Sequence, residues 1–240
     1  MLIIHILSLS LFLRIKFKTV IMKLFIIDGN IGSGKSTFLK HLQTVFPDVV
    51  TIQEPVDEWF KLKNEQGVSL FELFYNDPVR YSYLFQTNIL YTRFNKIKTL
   101  MEPTDENKNK IVVCERSIMT DLNVFVEAAR DLGNLSSIEY EVFVNWYNML
   151  VDLSNFRVDG VIYIRCGPDI SMERIQKRNR TGESGISFEY LKLLHEKHEQ
   201  WLMSEDDDKQ SVFVIDGTKD ISELTSDSDL HSQLQHFVLH

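Results

Sequence analysis

The sequence predicts an α/β fold in which a five-stranded parallel sheet is flanked by helices. Two observations carry the prediction. Five short apolar runs alternate with stretches of helical periodicity along the 240 residues, and such runs read as strands buried on both faces. The first run then enters a glycine-rich octet, Gly29-Asn30-Ile31-Gly32-Ser33-Gly34-Lys35-Ser36. It fits the phosphate-loop pattern G-x-x-x-x-G-K-[ST] in the strand-then-helix context that pattern needs. With 44% hydrophobic and 25% charged residues, the chain has ordinary globular composition and the length for one sizeable domain.

Taken in order, Leu24–Asp28 is the first strand, and the octet feeds a helix from about 35 to 46. Val49–Gln53 reads as the second strand, stopped by Glu54-Pro55. Helical stretches follow over 67–76 and 79–100, divided by Asp77-Pro78, because the residue before proline is pushed out of the helical region. Pro103 and the polar Asp105–Lys110 form a loop before the third strand, Ile111–Cys114. Helical patterns return over 120–131 and 137–151, and Val161–Cys166 is the fourth strand. Gly167-Pro168-Asp169 opens a helix over 169–178, followed by a loop at Thr181–Gly185. A helix at Phe188–Met203, an acidic connector at Glu205–Lys209, a fifth strand at Val212–Ile215 and a weakly periodic helical tail complete the chain.

The octet has a definite chemistry. Gly29, Gly32 and Gly34 let the backbone turn tightly and approach a ligand, so the amides form an anion nest at a helix N-terminus. Lys35 is placed to reach the β- and γ-phosphates of a nucleotide, with the Ser36 hydroxyl on Mg²⁺. The segment from Gly29 to Thr37 is therefore the expected ATP site.

A formal net charge of −8 argues against general nucleic-acid binding, which needs a basic face. Cys114 and Cys166 each fall in an apolar strand without metal-site spacing, so both read as buried free thiols. Residues 1–21 are set apart. Their apolar run is too short to span a bilayer, and its positive charges follow it where a secretory signal would place them before. No stable membrane association is expected. Met22 is the working start of the fold, with residues 1–21 either absent in the cell or a non-structural extension. The expected compartment is cytoplasmic, or mitochondrial if residues 1–21 act as a presequence.

Charged clusters recur where strands end: Glu54 after the second, Glu115-Arg116-Ser117 after the third, and Arg174, Arg178, Arg180 and Glu183 after the fourth. The loop near Asp216–Asp220 follows the fifth. A parallel sheet brings such ends to one edge, where phosphate ligands bind. Glu54-Pro55-Val56-Asp57-Glu58-Trp59, Phe85-Gln86-Thr87, Glu115-Arg116-Ser117 and the arginine-rich segment, in that order, resemble the deoxynucleoside kinase family. That group contains the deoxycytidine, deoxyguanosine and mitochondrial-type thymidine kinases. The resemblance runs from about Lys23 to the end of the chain and implies a P-loop kinase fold, usually a homodimer.

It further implies transfer of the ATP γ-phosphoryl group to a nucleoside 5′-hydroxyl. Glu54 resembles the general base, Arg116 its partner, and Glu115 with Ser36 the holders of Mg²⁺. Arg174, Arg178 and Arg180 resemble the arginines that bind the phosphates. Gln86, Phe85 and Trp59 match the base pocket, whereas Phe143 is read as plain core. Tyr75 and Glu183 match the pair that holds the sugar 3′-hydroxyl, with Gly182 where many relatives carry a second acid. Arg93 and Asp121 match positions that favour deoxycytidine or a purine deoxynucleoside over thymidine, although Ile89 is bulkier than the residue deoxycytidine kinases carry. His195 and His198, three apart, read as a solvated helix face. Two rivals stay open, a thymidylate-type monophosphate kinase and a non-catalytic structural relative.

Overall fold

The computed structural model describes residues 22–101, 110–154, 157–180, 182–183, 185–205 and 210–239. The expectations for residues 1–21, for most of the 105–110 loop, for most of the acidic connector and for Thr181 lie outside these.

Five parallel strands form one sheet: β1 (Lys23–Asp28), β2 (Val49–Ile52), β3 (Ile111–Glu115), β4 (Gly160–Arg165) and β5 (Val212–Asp216). Their order is β2-β3-β1-β4-β5. The chain leaves β1 to one side, returns to insert β3, then crosses to the other side for β4. That reversal opens a crevice at the carboxyl end of β1, the place where such sheets bind ligands. Alternate residues of β1 feed opposite cores: Phe25 and Ile27 pack with Phe38, Leu42 and Leu234. Leu24 and Ile26 pack with Ile97, Tyr163 and Leu202 on the other face. Burial on both faces is why the runs are continuously apolar. Cys114 and Cys166 are buried free thiols, as the sequence predicts.

Ten helices cover the described part of the sheet. They are α1 (Lys35–Val45), α2 (Val56–Lys61), α3 (Leu70–Asn76) and α4 (Pro78–Met101). Next, α5 begins at Ile118–Thr120, passes through a π-helical turn at Asp121–Val126 and ends at Glu127–Asp131. Then come α6 (Ser137–Ser154), α7 (Pro168–Arg178), α8 (Phe188–Leu202), α9 (Ile221–Ser226) and α10 (Ser228–Leu239).

Three local differences from the sequence reading have clear causes. The helix expected over 67–76 starts only at Leu70, because Ser69 and Glu72 form a capping box. The helix expected from 120 starts at Ile118, where Ser117 accepts from the Met119 amide and the Ser117 amide is met by Thr120. Helix α2, six residues long, was not expected, since a single apolar face needs more turns than that to show.

Candidate active site

Strand register assembles the site. Ile52 pairs with Cys114, and Ile27 with Glu115. Glu54, two residues beyond β2, therefore emerges beside Arg116, one residue beyond β3, with the phosphate loop on the far side. The loop needs its glycines. A Cβ on Gly29 (φ +145°) would stand 2.4 Å from the Ile164 carbonyl oxygen, and one on Gly32 (φ +80°) 2.5 Å from that of Ser171.

Inside this cradle Lys35 Nζ donates to the carbonyls of Gly29 at 3.0 Å and Asn30 at 2.7 Å. Burial, aided by the nearby Arg116 charge, lowers its pKa to about 7. Ser36 Oγ donates to Glu115 Oε1 at 2.6 Å, so a hydroxyl and a carboxylate stand together at the helix start.

Glu54 is the electrostatic centre. Arg116 Nη1 donates to its two oxygens at 2.9 and 3.1 Å, and Arg93 Nη2 donates to Oε1. Burial pushes the carboxyl upward, but Arg116, Arg93 and Lys35 outweigh it and hold the pKa at about 2. Arg93 also pairs with Asp121, which is buried at the start of the π turn. Burial raises the Asp121 pKa to about 7, more than Arg93 offsets.

One cleft of about 580 Å³ joins these groups, and nineteen of the residues singled out from sequence line it. Ile31, Gly32, Ser33, Gly34, Lys35, Ser36, Thr37 and Glu115 form the phosphate end. Glu54, Trp59, Tyr75, Phe85, Gln86, Arg93, Arg116 and Glu183 form the other, with Arg174, Arg178 and Arg180 between. Gly29, Asn30 and Asp121 are not on the cleft wall. Asn30 anchors the loop by donating to the Leu191 carbonyl at 2.9 Å. Gln86 is buried, and its Oε1 has no hydrogen-bond partner among the described residues. Trp59 Nε1 donates to Thr92 Oγ1 and its ring meets Phe85 edge-on. Phe143 packs with Leu90 and Ile118 in a separate core.

The arginines are already engaged. Arg178 and Arg180 both donate to Glu183, Arg178 through three contacts of 2.7–3.1 Å. Arg174 donates to the carbonyls of Ser33, Gly217 and Lys219, tying the phosphate loop to the loop after β5.

The deoxynucleoside kinase family model matches residues 25–239. The chain belongs to the deoxynucleoside kinase family. It is 33% identical over 215 residues to a probable deoxycytidine kinase of Fowlpox virus (strain NVSL), covering 88% of this chain and 86% of the relative. It is also 33% identical over 191 residues to deoxycytidine kinase 2 of Gallus gallus, with 73% and 72% covered. For the mitochondrial deoxyguanosine kinase of Xenopus laevis the figures are 33% over 189 residues, 73% and 71%. The chain is thus an ATP-dependent deoxynucleoside kinase.

Two groups in this kinase escaped the sequence reading. Tyr190 lines the cleft near Arg116. Asp28, Thr120 and His198 form a buried network behind the loop. The reading of His198 as solvated is corrected, since the residue is fully buried, while His195 is only partly so. The signal was present: His198 continues the stripe Leu191, Leu194 and Leu202, which faces inward at helical spacing.

Proposed function

We propose that this kinase moves the ATP γ-phosphoryl group to the 5′-hydroxyl of a deoxynucleoside, with Glu54 taking the hydroxyl proton. The supporting observation is the placement of Glu54, fixed by Arg93 and Arg116 in one cleft with the Lys35 cradle. A carboxylate held near pKa 2 is a weak base. Phosphoryl transfer tolerates that, because its loose transition state demands positioning and charge stabilisation more than early proton removal. The same pairing keeps Glu54 ionised and aimed. Arg116 steadies charge at the acceptor oxygen, while Lys35 and the loop amides neutralise the phosphates.

On this reading Arg178 and Arg180 exchange Glu183 for phosphate oxygens. Glu183 is then free to hold the sugar 3′-hydroxyl with Tyr75. The base enters the end of the cleft that Phe85 and Trp59 line and uses the unsatisfied Gln86 Oε1. The Arg93–Asp121 pair favours a base with an exocyclic amino group, hence deoxycytidine or a purine deoxynucleoside over thymidine. The names of the relatives lean the same way.

Mg²⁺ fits beside Ser36 and Glu115, two hard oxygen donors 2.6 Å apart. No three His, Cys, Asp or Glu converge among the described residues, which suits an ion carried largely by its nucleotide. Bound there, it would supply neutralisation of phosphate charge.

The proposal extends to a homodimer. Ile138, Val142, Trp146, Met149 and Leu153 form an exposed apolar stripe along α6, beside exposed Leu84 and Tyr91 of the packed α4. Such a stripe marks an interaction face. We place the start of the domain at Met22 and the enzyme in the cytoplasm, or in mitochondria if residues 1–21 act as a presequence. Among the described residues no helix is long and apolar enough to cross a membrane.

An ADP-release assay over deoxynucleosides, ribonucleosides and monophosphates tests the function. Turnover with deoxycytidine or a purine deoxynucleoside is the expected outcome. Turnover confined to monophosphates would contradict the proposal.

A further inference from the structure

Asp28 ends β1 directly before the phosphate loop, is fully buried, and has no part in the steps above. Its Oδ1 accepts from the Gly29 amide at 2.7 Å and faces His198 Nε2 at 3.2 Å, while Oδ2 accepts from Thr120 Oγ1 at 2.5 Å. The other ring nitrogen of His198 lies 2.6 Å from the Leu194 carbonyl. Both ring nitrogens therefore face acceptors, the Asp28 carboxylate on one side and the Leu194 carbonyl on the other. The Tyr163 ring lies parallel to the imidazole, with centroids 6.0 Å apart, and its hydroxyl donates to Glu199. Burial pushes the Asp28 carboxyl up, but the contact with His198, with Arg116 and Thr120 behind it, brings it below the ordinary value.

Arg116 stands between two carboxylates. Glu54 holds Nη1 at 2.9 Å, while Asp28 Oδ1 waits 4.0 Å from Nε, a buried nitrogen with no hydrogen-bond partner among the described residues. The Arg116 backbone sits at φ +60°, a region an arginine occupies only when its surroundings hold it there. In a poorly solvated interior a carboxylate that loses one of its donors attracts the nearest cation strongly.

The geometry points to His198 as a positioning residue: by occupying Asp28 from helix α8, it leaves the Arg116 guanidinium to Glu54 and steadies the first amide of the phosphate loop. This rests on the reading of Glu54 and Arg116 given above.

The test uses the full chain and the variants His198→Leu, Asp28→Asn and the two combined. Leu places an apolar side chain among Leu191, Leu194 and Leu202 but offers Asp28 no donor. His198→Leu is expected to lose kcat by about tenfold or more, since small misplacements of a reacting group cost that much. KM for ATP and for the deoxynucleoside should move by less than about threefold. Adding Asp28→Asn should recover most of the lost kcat, because Arg116 then faces one carboxylate. If His198 served packing alone, the combined variant would be no better than His198→Leu, and that result overturns the inference. So does a His198→Leu kcat within about twofold of the unmodified enzyme. If His198→Leu does not fold, the combined variant decides: folded and active supports the inference, unfolded or inactive overturns it. Glu54→Gln assayed alongside separates the two claims, since a near-normal kcat there fails the base reading whatever the His198 series gives.

Discussion

Lys35 shows how a single side chain can report ligand binding. Burial and the neighbouring Arg116 hold its pKa down to about 7 from an ordinary 10.5. Between those values the folded protein binds fewer protons there than the unfolded chain, so this group makes stability rise with pH across that window. A bound triphosphate supplies the missing counter-charge and restores the ammonium. Calorimetry at pH 8 in buffers of different ionisation enthalpy should therefore register proton uptake on ATP binding, lost in Lys35→Met. No uptake at that pH would contradict the placement of Lys35 against the phosphates. The proposed base choice also belongs to this scale. Replacing Arg93 and Asp121 together with leucine should cut the preference for deoxycytidine over thymidine in kcat/KM by about tenfold or more, because a buried polar contact is lost. An unchanged ratio would remove the pair from base recognition. Glu54, Glu115 and Arg116 were legible in the sequence because each lies at or just past a strand end. Asp28 and His198 were not, since each satisfies the other across 170 positions of sequence.

Elements were legible wherever their apolar period was long enough to see. All five strands and the long helices appear where their patterns place them. Helix α2 and the π turn of α5 do not announce themselves. The first has too few residues for a face, and the second depends on one extra residue per turn, set by packing and not by composition. That turn matters for the site, because it starts at Asp121 and brings the Phe125 ring within 4.8 Å of the Arg116 guanidinium. Capping is the element-scale feature most open to test. Ser69 accepts from the Glu72 amide while Glu72 returns to the Ser69 amide and hydroxyl. Ser69→Ala should destabilise the protein by about 1 kcal/mol, read as a fall in Tm of about 2–4 °C. An unchanged Tm would mean that tertiary packing alone holds α3.

The whole molecule converts a linear order of motifs into one cleft through the strand order β2-β3-β1-β4-β5. Each motif lies at the carboxyl end of a strand or on a helix packed over that edge. The exposed stripe of α6 belongs to this scale as well. Ile138→Arg combined with Leu153→Arg should turn the proposed dimer into a folded, active monomer in sedimentation experiments, whereas a wild-type protein that sediments as a monomer would contradict the proposed assembly. At the heart of the cleft, we propose, Glu54 serves the acceptor hydroxyl. The most direct test of that role is the kcat of Glu54→Gln, measured together with deoxynucleoside binding by titration. The expected result is a loss of at least about 100-fold in kcat with binding largely retained. A kcat close to that of the unmodified enzyme would contradict it.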